Sequence, residues 1–138
     1  MQINVCESAH RTPAFAIIAE GWNELVQTGQ TPDGVASCPV QRDDAVVYAQ
    51  LDNGEIVGVL VLSSGPAEDF MRLVLAYVEP SMRRKAVFRS LLAEALTVAK
   101  KRGADRLVIE SMAGSDALQV VMRKIGVPVA RVIHEVAV

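Results

Sequence analysis

The stretch 70–110 leaves this chain few architectures. Residues 70–78 are apolar at nearly every position, with Leu73, Leu75 and Tyr77 expected on one face of a strand and Val74, Ala76 and Val78 on the other. Both faces of such a strand must be covered. Past Glu79 and Pro80, the residues Val87, Phe88, Leu91, Leu92, Ala95, Leu96 and Ala99 recur at helical spacing. Lys100, Lys101 and Arg102 then meet the negative helix end, and Gly103 supplies the C-cap. Residues 107–110 form a short strand. A buried strand, a one-sided helix and a second strand make a right-handed parallel crossover, which requires helices packed on a sheet.

The remaining elements fit around that unit. Ile3 and Val5 alternate with polar neighbours as a short strand does. Thr12 and Pro13 open a helix in which Phe15, Ile18, Trp22, Leu25 and Val26 form the apolar stripe, ended by Gly29. Residues 30–44 are rich in turn formers without periodicity, the kind of segment that is more often functional or mobile than idle and where substrate-side contacts can sit. Two β-branched runs, 45–51 and 55–63, flank Asp52, Asn53 and Gly54, and the Asn-Gly pair supplies the positive φ angles of a tight hairpin. A break at Ser64, Gly65 and Pro66 precedes the strand 70–78. A helix over 116–125 closed by Gly126 and a last strand over 129–136 complete the order. The expectation is a single α/β domain over 1–138, with a mixed, mostly antiparallel sheet of about six strands and helices on both faces.

Composition excludes several function classes. With 138 residues and 51% hydrophobic side chains the chain can close one core without staples. Its net charge of −2 gives no global reason to expect a nucleic-acid partner, so any anion site must be local. No apolar stretch approaches the ~20 residues of a membrane span, and the amino terminus has no basic segment followed by an apolar one. A cytoplasmic protein without a membrane partner is expected. Cys6 and Cys38, with His10 and His134, have no zinc-type spacing, so no metal is expected and the thiols read as reduced. His134 on the last strand reads as hydrogen-bonded structure or as a proton carrier beside an acceptor pocket.

The chemistry concentrates between the strand 70–78 and the helix that follows it. Ser81, Met82, Arg83, Arg84, Lys85, Ala86 and Val87 sit where free backbone N–H groups and the positive helix end can hold an anion. Cations in a first helical turn oppose the helix dipole by a few tenths of a kcal/mol each, roughly, and a bound phosphate reverses that sign. Two readings stand side by side: a phosphate cradle, or a Ser81 N-cap followed by solvated cations.

The order of elements and this segment together resemble the GNAT family of N-acetyltransferases, over residues 44–127. In that family acetyl coenzyme A binds a loop after the fourth strand written Q/R-x-x-G-x-G/A. Residues 55–60 look like its third strand, 75–80 like its fourth strand and exit, and 85–103 like its coenzyme-facing helix. Arg83 falls on the leading basic position, Ala86 on the first glycine and Phe88 on the final small residue, so the loop departs from the motif twice. A side chain there blocks close approach to a diphosphate unless it turns away, and Phe88 also fits the helix's apolar stripe. Ser115 to Gly126 is similar to the last family motif, N-x-x-A-x-x-x-Y-x-x-x-G-F. Ser115 takes its asparagine position, and Met122, which has no proton to give, its tyrosine position.

The resemblance implies direct attack of an unidentified amine on acetyl coenzyme A, taken as co-substrate. The backbone of Tyr77 and Val78 would pair with the pantetheine arm, while Arg83, Arg84, Lys85, Ala86 and Val87 hold the diphosphate and Ser115 contacts the coenzyme. Glu79 at the strand exit and Glu110 at the end of the next strand are the candidate bases, each more readily read as a surface carboxylate or a partner for the arginine cluster. The other reading is a GNAT-like domain without activity that works as a binding or structural partner. The apolar strands of 45–63, in a chain of mean hydropathy +0.26, suit a homodimer under either reading.

Overall fold

The computed structural model describes residues 1–29, 37–64, 69–109, 120, 122–124, 126 and 136–137. In chain order they form β1 (Gln2–Cys6), a 3-10 turn (Ala9–Arg11), α1 (Phe15–Gln27), β2 (Ala45–Gln50) and β3 (Ile56–Ser64). Then follow β4 (Phe70–Val78), a second 3-10 turn (Pro80–Met82), α2 (Val87–Lys101) and β5 (Arg106–Ile109). The strands lie in one sheet in the order β1-β2-β3-β4-β5, antiparallel from β1 to β4 and parallel between β4 and β5. The crossover read from 70–110 is present, in a mixed α/β sheet. Most of the expected helix 116–125 and nearly all of the expected strand 129–136 fall outside the described residues. No described helix is long and apolar enough to cross a membrane.

Alternation along the central strands builds two cores. Ala45, Val47, Ala49, Leu60, Leu62 and Met71 face Val87, Leu91, Ala95 and Val98 of α2, and Val46, Val59, Val61 and Leu75 face Ala14, Ile17 and Ile18 at α1. Burying both faces of β2 and β3 is what their continuous β-branched runs require. The β2–β3 turn forms as the sequence predicts, with one difference. Only Gly54 takes a positive φ, +90°, while the Asn53 carboxamide accepts the Glu55 N–H at 2.9 Å.

Two faces differ from the periodicity reading, each for a local reason. On α1 the buried residues are Ile17, Ile18 and Gly21, whereas Phe15 is 73% exposed and Val26 is exposed too. Gly21 sets that rotation: a Cβ there would stand 2.7 Å from the Tyr77 Cβ, so only glycine lets α1 lie this close to β4. On β4, Val61 pairs with Leu75 and Leu62 with Leu73, which leaves Val74 as an extra residue. This bulge reverses the alternation, so Leu73 packs with the α2 core while Leu75 and Tyr77 pack on the α1 side. The bulge follows the last recorded β4–β5 pair, Leu73 with Ile109, so the part of β4 that leads to Tyr77 and Val78 has no strand beside it on that edge among the described residues.

Candidate functional site

The chain leaves β4 through Glu79, whose N–H donates to Val57 O at 2.8 Å and so anchors the exit to β3. Pro80 begins the 3-10 turn, which closes when Met82 N–H donates to Glu79 O and Arg83 N–H to Pro80 O. Beyond it Arg84 and Ala86 take φ values of +65° and +62°, the left-handed region that non-glycine residues avoid. Ala86 is the N-cap of α2, and its carbonyl accepts both the N–H and the hydroxyl of Ser90 at 3.1 Å. The result is a corner whose N–H groups from 84 to 89 have no acceptor among the described residues. No acidic residue occupies the first turn of α2. Six consecutive donors, the positive helix end and the exposed Arg84 and Lys85 make an anion seat.

Val87 is buried beneath this corner, and the Phe88 side chain packs against the α2 core. Phe88 is thus partly buried against the core, the alternative to plugging the loop. Arg83 stands apart from its cationic neighbours. Its Nε donates to Val78 O at 2.8 Å, its Nη2 reaches both carboxylate oxygens of Glu24 at 3.0 and 2.9 Å, and its guanidinium lies 5.5 Å from the centre of the Tyr77 ring.

On the α1 side of the same strand end lies a cleft of about 320 Å³, lined by Pro13, Ala14, Ile17, Glu20, Glu55 and Glu79, among others. Its lining carries three carboxylates and no lysine or arginine. Tyr77 adjoins this acidic region. Its phenol is pushed above its ordinary value of 10.0, first by burial and then by Glu24, Glu20 and Glu79, against the opposing pull of Arg83. It stays a neutral donor across the physiological range.

Tyr77, Val78, Glu79, Arg83, Arg84, Lys85, Ala86 and Val87 are therefore brought to one strand exit and helix entrance. Glu110 and Ser115 lie outside the described residues. Met122 is buried on a helical stretch and acts as packing. Glu20, Glu24 and Glu55 were missed by motif reading. The signal was there, because Glu20 and Glu24 are like charges four apart on one helix, an arrangement that weakens an isolated helix.

The sequence model described as the acetyltransferase (GNAT) family matches residues 13–126. The chain belongs to the GNAT family. The matched span includes α1, and with it the Glu20 side of the acidic cleft, which the motif resemblance beginning at residue 44 left out. Solved GNAT-like structures agree in fold. A ribosomal-protein-alanine N-acetyltransferase from Brucella melitensis biovar Abortus 2308 is 16% identical, with all of both chains covered and a TM-score of 0.72. An aminoglycoside acetyltransferase from an uncultured soil metagenomic sample, in complex with sisomicin, is 15% identical with a TM-score of 0.71, covering 99% of this chain and 95% of its own. An aminoglycoside N-acetyltransferase in complex with CoA is 16% identical with a TM-score of 0.66, covering 99% and 98%. No curated protein matches the chain.

In this GNAT chain Ala86 stands where the loop motif has its first glycine, and its φ gives the reason for that glycine. A left-handed alanine costs about 1 kcal/mol relative to glycine, more than glycine loses in unfolded-chain entropy. Ala86→Gly is accordingly expected to raise stability in urea unfolding by about 0.5 kcal/mol. A clear loss of stability would show that this corner is not left-handed.

Proposed function

We propose that this GNAT protein is an N-acetyltransferase that moves an acetyl group from acetyl coenzyme A to an amine by direct attack. The observation that carries the reading is the row of N–H groups at 84–89 with no acceptor among the described residues, carrying the cations Arg84 and Lys85 at the start of α2. A coenzyme diphosphate needs that donor row. The backbone of Tyr77 and Val78, on a strand edge with no described neighbour, would hold the pantetheine arm. The thioester then comes to the strand exit, where Glu79 faces the acidic cleft.

There the amine lone pair attacks the thioester carbonyl, the carbon–sulfur bond breaks, and the thiolate takes up the proton that the new amide nitrogen sheds, so the coenzyme leaves as its thiol. An amine is mostly protonated near neutral pH and must lose a proton before it attacks. Glu79 is the base at the right place for that step, and Glu20 and Glu55 attract a cationic acceptor into the cleft. One structural neighbour was solved with sisomicin, an aminoglycoside, which suits a cationic acceptor here as well.

Met122 favours the second reading, a domain that binds but does not transfer, because the position matching the family's phenol acid holds a buried side chain without a proton to give. Calorimetric titration with acetyl coenzyme A, paired with thiol release over a panel of amines, separates the two. Binding that weakens as salt rises, together with amine-dependent thiol release, is the expected result. Binding without release would assign the protein to the second reading, and no binding at millimolar coenzyme would sink both the cradle and the transferase.

A further inference from the structure

Arg83 occupies the family's leading basic position, yet its side chain is spent on protein groups. Nε is bound to the last carbonyl of β4, and Nη2 is shared between the two Glu24 oxygens on α1. Both oxygens of the carboxylate meet one guanidinium nitrogen, a charge-assisted contact, while Nε holds the strand carbonyl, so the two bonds together set the direction of the side chain. The pair joins the chain just before the donor row to a helix 59 residues upstream in sequence.

That location matters because the donor row is strained. Arg84 and Ala86 both hold left-handed φ without being glycine, and such conformations persist only where the surroundings over-determine them. The corner's other ties are backbone bonds within its own 3-10 turn, the Glu79 N–H bond to β3, and the Ser90 bonds to Ala86 O. Among the described residues, the Arg83 side chain is what ties it by hydrogen bonds to α1 and to the end of β4 together.

We infer that Arg83 and Glu24 are positioning residues: the Glu24–Arg83–Val78 clamp holds the 84–89 amides in the diphosphate-binding geometry, and Arg83 itself is not a phosphate ligand. Because α1 also lines the acidic cleft, the clamp links the coenzyme corner to the acceptor side. This inference rests on the coenzyme reading above and deepens it.

A two-residue cycle tests it. Acetyl coenzyme A is titrated into the wild type, Glu24→Ala, Arg83→Ala and the double variant at low and raised salt, with KM, kcat and thermal midpoint measured alongside. A clamp predicts that each single change weakens coenzyme binding roughly fivefold, and that the double variant is no weaker than the worse single one. It also predicts an unchanged slope of affinity against salt, a raised KM for coenzyme at nearly unchanged kcat, and a thermal midpoint that hardly moves. Glu24→Asp, which keeps the carboxylate, should recover part of the loss. Arg83→Ala that flattens the salt dependence while Glu24→Ala binds as the wild type does would overturn the inference and make Arg83 a direct phosphate ligand. Additive losses would overturn it too. If the wild type itself binds no coenzyme, the reading beneath the inference fails, whatever the variants do.

Discussion

Glu79→Gln is expected to lower kcat for amine acetylation by about two orders of magnitude, the usual contribution of a positioned base, while acetyl coenzyme A affinity stays within about twofold. The substitution keeps the shape of the side chain and removes its ability to take a proton. The Glu79 backbone is pinned by its N–H to Val57 O, next to a buried Val57, so the variant should fold as the parent does. Glu20 and Glu55 line the same cleft from α1 and the β2–β3 hairpin, not from the strand exit itself. Glu20→Gln and Glu55→Gln should instead raise KM for a cationic acceptor several-fold, roughly, with little change in kcat. Steady-state thiol release against amine concentration for the three variants distinguishes the roles. An unchanged kcat for Glu79→Gln would remove it as base and leave Glu110 as the candidate.

How much of this was legible beforehand depended on whether the signal was local. The Asn53-Gly54 turn, the amphipathic α2 and its C-terminal cations were readable because turn chemistry and helical period are properties of neighbouring residues. The bulge at Val74 was not, since it exists only in the register of β4 against β3, and it turned Leu73 away from the face expected for it. The rotation of α1 was hidden for a like reason. Periodicity marked Phe15 and Val26 as inward, but the contact that decides the rotation is Gly21 against Tyr77, two residues 56 positions apart in the sequence that a local window never compares. At the site, the loop motif pointed to the corner proposed for the coenzyme and to its departures Ala86 and Phe88, while the positive φ of Ala86 and the packing of the partly buried Phe88 against the α2 core came only from the structure. The Glu24–Arg83 pair spans two elements that no motif connects.

Gly58→Val is expected to cost about 2–3 kcal/mol of stability and to weaken acetyl coenzyme A binding about tenfold in the protein that remains folded. Gly58 lies on β3 opposite Val78, under the first turn of α2. A Cβ there would stand 3.0 Å from both Leu91 Cδ1 and Val87 Cγ1, side chains that are almost wholly buried and have nowhere to retreat. Alanine would already need a shift of a few tenths of an ångström, and the two further methyl groups of valine must lift α2 from the sheet. Val87 follows directly on the Ala86 N-cap, so such a lift moves the 84–89 amides relative to the end of β4, and a displacement of roughly 1 Å is enough to cost binding well beyond the loss of packing. Urea unfolding gives the first quantity and titration at a temperature well below the midpoint gives the second. The informative comparison is Leu60→Ala, a cavity in the same α2-facing core that should cost a similar 2–5 kcal/mol without touching the α2 entrance. If both variants lose stability but only Gly58→Val loses coenzyme affinity, the helix entrance sets the binding geometry. Equal losses of affinity would mean that the corner follows global stability and is not placed by the close approach of β3.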